Sequence, residues 1–317
     1  MGKQTSAKIE KPSHNPRWDI WSYRIGCPVW GCRNWTDSIY PNGTPADDFL
    51  RWYSSSFPTV EGNSTFYAVP PIATFQKWRD SSAESFQFCF KFPRTISHYA
   101  KLKNCNDELH EWLNRLAVLH DAGKLGPTFL QLAPSFSFSY FTQLEKFLRQ
   151  LPRDWPWAVE VRHQDWFDMG DQESQLDELL QELAIDKVLF DSRPLNSMEA
   201  SDQTETESQS RKPKTPFRTS ITGKRPMLRL IGRNNAEEVF AYWEWWADQI
   251  ATWIEAGHQP WIFTHAPDDT FAPGIARILH DLIRIKRPEL PALPDFRSFN
   301  QNNNGEGLKQ LDLFSFD

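Results

Sequence analysis

Residues 157–167 read Trp-Ala-Val-Glu-Val-Arg-His-Gln-Asp-Trp-Phe. The stretch opens as a buried strand, because Ala158, Val159 and Val161 are small or β-branched. Two charges then interrupt it. In an extended chain successive side chains alternate faces, so Glu160 and Arg162 point the same way, with His163 at the strand end. Ionised groups in a dry interior are costly unless paired. The face that carries Glu160 and Arg162 therefore looks into a wet, polar space or holds a structural ion pair.

The same pattern recurs along the chain and decides the fold class. Short apolar runs at 23–27, 59–63, 86–92, 128–132, 157–163, 187–191, 227–231 and 260–264 read as strands. Amphipathic stretches at 47–57, 72–78, 107–122, 140–151, 173–183, 236–256 and 274–285 read as helices between them. In 107–122, Leu109, Trp112, Leu113, Leu116 and Leu119 fall at helical spacings, and Gly123 marks the end. Eight strands alternating with helices predict an α/β chain built as a (β/α)8 TIM-type barrel. A doubly wound open sheet competes with it, but no glycine-rich dinucleotide fingerprint follows the first strand. Residues 1–17 read as a flexible tail, 18–293 as the barrel and 294–317 as a second flexible tail. Within the barrel, 197–220 is rich in Ser, Thr, Glu and Gln and reads as a long disordered insertion.

Bulk properties set limits on function. The chain has 317 residues, a net charge of -6 and a 39% hydrophobic content, with 15 Trp and 23 Phe. Mild acidity argues against non-specific coating of nucleic acid, yet leaves room for one basic pocket. Cys27, Cys32, Cys89 and Cys105 form no CxxC pair, which points to a reduced cytoplasmic protein rather than a disulfide scaffold or zinc site. No apolar run reaches membrane-spanning length, and the N-terminus lacks a signal-peptide core.

In a barrel, chemistry gathers at the carboxyl ends of the strands. Those ends supply Trp30, Glu61, Asn63, Tyr67, Lys91, Gln131, Glu160, Arg162, His163, Asp191, Arg229 and His265. Any one of them has a structural explanation: a rim lysine that snorkels, a capping aspartate, a satisfied core histidine. Their recurrence at nearly every strand favours a site. Glu160, Glu61, Asp191 and His163 are the acid/base candidates, with Glu160 as general base. Lys91, Arg162 and Arg229 bring positive charge suited to an anionic, phosphate-bearing substrate, and Gln131, Asn63 and His265 add polar contacts. Trp30 and Tyr67 are placed to stack. This composition predicts an enzyme of the hydrolase or lyase type. Two carboxylates also fit glycoside or sugar-acid chemistry, and a non-catalytic binding module is the third reading. Carboxylates with histidine offer ligands to a divalent metal as well, but no HExxH or comparable spacing marks such a site, and no cofactor is predicted.

Several of these stretches carry a family resemblance. Asn63-Ser64-Thr65-Phe66-Tyr67 and Glu160-Val161-Arg162-His163 are the specific ones. Phe90-Lys91-Phe92-Pro93, Leu125-Gly126-Pro127, Gln131-Leu132, Asp191 and Leu228-Arg229-Leu230-Ile231-Gly232 support them. The chain resembles the family catalogued as domain of unknown function seventy-two, the YecE-like proteins, from about Gly26 to Pro273. The resemblance implies a TIM-barrel-like fold and brings no established reaction. The chain departs from the family at Gly26-Cys27-Pro28-Val29-Trp30, where Gly-Thr-Ser-Gly-Trp is usual, and at Thr264-His265, where Asn-rich sequence often stands.

The C-terminal segment holds one more motif. Gln310, Leu311, Asp312, Leu313 and Phe314 resemble the pentapeptide by which bacterial replication and repair proteins dock on the DNA polymerase sliding clamp. Leu311, Leu313 and Phe314 suit an apolar groove and Gln310 its polar edge. Such docking would bias the substrate towards nucleic acid or a nucleotide phosphate.

Overall fold

Parallel strands need a crossover between them, and each segment between two strands of this chain supplies one that is wholly or partly helical. The computed structural model describes residues 16–295. Its strands are β1 (Arg24–Cys27), β2 (Thr59–Gly62), β3 (Gln87–Phe90), β4 (Thr128–Gln131), β5 (Trp157–Glu160), β6 (Asp186–Asp191), β7 (Met227–Ile231) and β8 (Trp261–His265). They pair in parallel in the order β3-β2-β1-β8-β7-β6-β5-β4. Bridges from Phe88 to Leu125 and from Lys91 to Phe129 join the two ends of that sheet, giving a (β/α)8 barrel.

The helices form the outer ring: α1 (Phe49–Ser56), α2 (Ser64–Tyr67), α3 (Ile72–Ser81), α4 (Asn106–His120), α5 (Phe141–Leu148), α6 (Asp171–Glu182), α7 (Gln203–Arg211), α8 (Phe240–Glu255) and α9 (Ala272–Lys286). Their apolar stripes pack on the outward faces of the strands. In α4 the buried residues are Leu109, Trp112, Leu116 and Leu119, one side of a 3.6-residue period. Among the described residues, no helix is long and apolar enough to cross a membrane.

Strand parity separates two cores. Outward residues such as Val60, Phe88, Leu130 and Val159 join the large helix-facing cluster. Cys89, Phe129, Ala158, Val188, Met227, Trp261 and Phe263 form a second cluster that fills the barrel. Gly26 shows how tightly the wall is packed, since a Cβ there would lie 2.1 Å from the Thr59 carbonyl oxygen.

One expectation is corrected. Residues 197–220, read from composition as a disordered insertion, contain α7. Asp202 caps it, its side chain accepting from the Glu205 N–H. The Glu205 carboxylate is wholly buried and pairs with Arg233 at 2.6 Å. Further on, Arg218 meets Glu173 of α6 at 2.7 Å. Buried charge pairs with a distant partner, rather than an apolar stripe, hold this segment down. Residues 1–15 and 296–317 of the two tails, including Gln310–Phe314, lie outside the described residues.

Candidate functional site

Continuing each inner strand face by two residues leads out of the apolar plug. Cys89, Phe129, Ala158, Val188, Met227 and Phe263 are followed, two positions on, by Lys91, Gln131, Glu160, Phe190, Arg229 and His265. With Glu61 of β2, these residues form a polar layer on the plug at the carboxyl end of the barrel.

Arg229 is the hub of that layer. Its Nε and Nη2 donate to Glu61 at 2.8 and 2.7 Å, and its Nη1 donates to Glu160 at 2.6 Å. Glu160 Oε1 also accepts from Arg162 Nε and Gln131 Nε2, both at 2.8 Å. Glu61 accepts from Asn63 Nδ2 at 2.7 Å and lies 3.2 Å from His265 Nε2. An ionised carboxylate only accepts, so His265 carries its proton on Nε2. Arg229 and Arg162 also lie over the Phe190 ring, at 5.6 and 5.5 Å.

These contacts give the carboxylates a different role from the one their sequence suggests. Burial would push Glu160 up, but Arg229, Arg162 and Lys91 outweigh it and hold the carboxyl at about 2. Glu61 is likewise held well below the usual range, because Arg229 overcomes its burial. A carboxylate so strongly stabilised is a weak base at neutral pH. Burial brings His265 down to about 4, so it is neutral there.

The two arginines differ. All three nitrogens of Arg229 already donate to carboxylates. Arg162 commits only Nε, and among the described residues its two terminal nitrogens have no acceptor. Beside it stands Lys91, 9% exposed, with Nζ 3.8 Å from the centroid of the Phe66 ring. Burial, then repulsion from Arg229, brings Lys91 down to about 7. His98 meets the same Phe66 ring edge-on at 4.9 Å. Burial and the charge of Lys91 lower it to about 4.

A third cation arrives from a segment that the sequence did not mark. Lys212 directly follows α7, where Ser192 donates to the Pro213 carbonyl at 2.8 Å. Burial and the charges of Arg229 and Arg162 bring Lys212 down to about 8, against the opposite pull of Glu61 and Asp269. Among the described residues neither Lys91 nor Lys212 has a carboxylate partner at ion-pair distance.

Four residues singled out in the sequence stand apart from this layer. Asp191 has the opposite parity to Phe190 and faces the helices, where it binds Arg193 and accepts from Trp246 Nε1 at 2.8 Å. His163 caps a short turn by accepting from the Asp165 N–H. Trp30 packs edge-on against Trp78 and Phe88 behind the sheet. Tyr67 is exposed on the rim, under Arg94. Among the described residues no group of His, Cys, Asp and Glu is gathered to hold a metal.

A profile of the family described as "Protein of unknown function DUF72" matches residues 24–298. The chain belongs to this family. It is 33% identical over 270 residues to the UPF0759 protein YecE of Escherichia coli K12, covering 85% of this chain and 96% of that protein. Over 153 residues it is 31% identical to the UPF0759 protein YunF of Bacillus subtilis, covering 45% of this chain and 51% of that one. Among solved structures, a DUF72 family protein of Enterococcus faecalis superposes with a TM-score of 0.64 at 18% identity, covering 86% of this chain and 99% of that one. One from Thermotoga maritima gives 0.61 at 19% identity, covering 84% and 99%. At such identities the structures speak for the shared barrel alone.

Proposed function

We propose that this DUF72 protein binds a small anionic substrate, phosphate- or carboxylate-bearing, at the barrel mouth and turns it over by hydrolysis or elimination. One observation carries the reading. The charges of Glu61 and Glu160 are matched by Arg229 and Arg162, and Asp269 offsets one more cation, so Lys91 and Lys212 together leave one surplus positive charge. A buried cation without an ion pair, as Lys91 is, and a half-buried one, as Lys212 is, are unfavourable in the free protein, and an anion relieves them. The open end of the Arg162 fork adds directional donors for two oxygens. Glycoside chemistry fits less well. It needs one carboxyl held protonated, whereas Glu61 and Glu160 are both held ionised. The groups near their titration point at neutral pH are Lys91 and Lys212.

Inorganic phosphate is the simplest probe. Calorimetric titration at pH 6.5 should show one site per chain. Lys91→Met and Lys212→Met should each weaken it at least about tenfold, the size of one charge-assisted contact. Wild-type-like affinity in the double variant would sink the proposal. Binding without turnover of any phosphate ester tried would leave a binding module. Docking of Gln310–Phe314 on a sliding clamp is a separate proposal resting on sequence alone. Deleting residues 310–317 should abolish retention on purified clamp and leave phosphate binding intact.

A further inference from the structure

We propose that Lys91 is a Schiff-base lysine whose amine condenses with the carbonyl of a small phosphorylated aldehyde or ketone, the phosphate being held by Arg162 and Lys212. The inference rests on the anion-binding reading above and names the substrate class of that site.

The comparison that singles out Lys91 is with the other buried lysines. Lys187 is neutralised by Asp177 at 2.8 Å and Glu173 at 3.6 Å. Lys124 donates to the carbonyls of Arg79, Ser82 and Ala83 and to the Ser82 hydroxyl, at 2.7 to 3.0 Å. Both ammoniums are thereby satisfied as structural groups. Lys91 has no such shell among the described residues. Its Nζ lies against the Phe66 ring face. Its main chain is fixed, since its N–H donates to the Gly62 carbonyl at 3.3 Å and its carbonyl accepts from the Thr65 hydroxyl at 2.8 Å. The side chain therefore leaves a rigid wall and ends in an amine with no hydrogen-bond or ion-pair partner among the described residues.

Its surroundings suit nucleophilic addition. Burial and two neighbouring guanidiniums keep much of the amine unprotonated near pH 7, the activation that lysine nucleophiles need. His98, on the same Phe66 ring, is neutral there and adds no charge beside the amine. Lys212 is the second cation for the phosphate.

The step balances without an oxidant or reductant. The Nζ lone pair adds to the carbonyl carbon, and the C=O π pair moves to oxygen, which takes one of the two protons on the nitrogen. The nitrogen lone pair then expels the hydroxyl, which leaves as water with a proton from solvent, so one amine, one carbonyl and one solvent proton give one protonated imine and one water. The protonated imine withdraws electrons and acidifies the adjacent C–H, which is what elimination requires.

Reductive trapping tests this. Full-length protein is incubated with glyceraldehyde 3-phosphate and cyanoborohydride, and the adduct is mapped by peptide mass spectrometry. The expected result is a single adduct on Lys91 with half-maximal labelling near pH 7. Unphosphorylated glyceraldehyde should label it at least about tenfold more slowly. Inorganic phosphate should suppress the adduct, and Lys91→Arg, checked for folding by circular dichroism, should lack it. Label scattered over surface lysines with Lys91 spared, while phosphate still binds in the titration above, overturns the imine and leaves the anion site standing. If phosphate does not bind either, both readings fall.

Discussion

At the residue scale the decisive feature is a single guanidinium that holds two buried carboxylates. Glu61 and Glu160 approach Arg229 from strands on different sides of the barrel. Removing one partner of a buried ion pair costs about 3–5 kcal/mol, because the uncompensated charge stays behind. Arg229→Met should therefore lower the melting temperature on the order of 10 °C. Adding Glu61→Gln and Glu160→Gln to it should recover most of the loss, since neutral amides leave no orphaned charge. Thermal unfolding of the single and triple variants measures both. A single variant that melts with wild type would show that this network does not hold the barrel mouth together. Strand parity makes the shared face of Glu160 and Arg162 readable from residues 157–167. It also shows that Asp191 faces away, because Val188 and Phe190 take the inner positions of that strand. What parity cannot show is how lone pairs are shared out. That apportioning turned Glu160 from an apparent base into a fixed anion.

At the scale of elements, the strands were legible because each is a short apolar run that turns polar at its carboxyl end. The segment from 197 to 220 was not. Helix α7 reads Gln-Thr-Glu-Thr-Glu-Ser-Gln-Ser-Arg, with no apolar stripe to signal burial. Its anchor, Glu205 against Arg233, spans 28 residues, and Asn234 also donates its backbone N–H to Glu205 at 2.9 Å. Local propensity contains nothing of such a pair. Lys212 was missed for the same reason: its place at the mouth depends on α7 being docked. Glu205→Ala should free the whole segment at once. Hydrogen exchange across residues 202–212 should speed up by at least about a hundredfold, the equivalent of roughly 3 kcal/mol for breaking a buried pair. Phosphate affinity should fall with it, although Glu205 faces Arg233 rather than the mouth. Unchanged exchange in that stretch would mean that something other than this pair holds α7.

For the molecule as a whole, the polar layer sets how stability varies with pH, and its two kinds of group act at opposite ends. Glu160, near 2, and Glu61, held well below the usual carboxylate range, have folded-state values below their unfolded ones. Their contribution is present above the unfolded value of about 4.3 and is lost as pH falls through the folded value of Glu160. Lys91 and Lys212 are also depressed, but they are bases. Between about 7 or 8 and their ordinary value of 10.5, the unfolded chain binds protons that the folded chain does not. Stability rises with pH wherever the unfolded state binds more protons, so both lysines destabilise the fold at acidic and neutral pH and are relieved in mild alkali. Each contributes a slope of up to about 1.4 kcal/mol per pH unit. The melting temperature of the free protein should therefore keep climbing from pH 7 to 9, where many proteins have already passed their maximum. In Lys91→Met/Lys212→Met the climb should disappear, with the gain showing as higher stability at pH 6.5. Saturating phosphate should flatten the wild-type curve from the other side, because a bound anion stabilises the protonated lysines that burial disfavours. A free protein whose melting temperature is level or falling over that interval, with the double variant parallel to it, would show that the two ammoniums are not held as surplus charge.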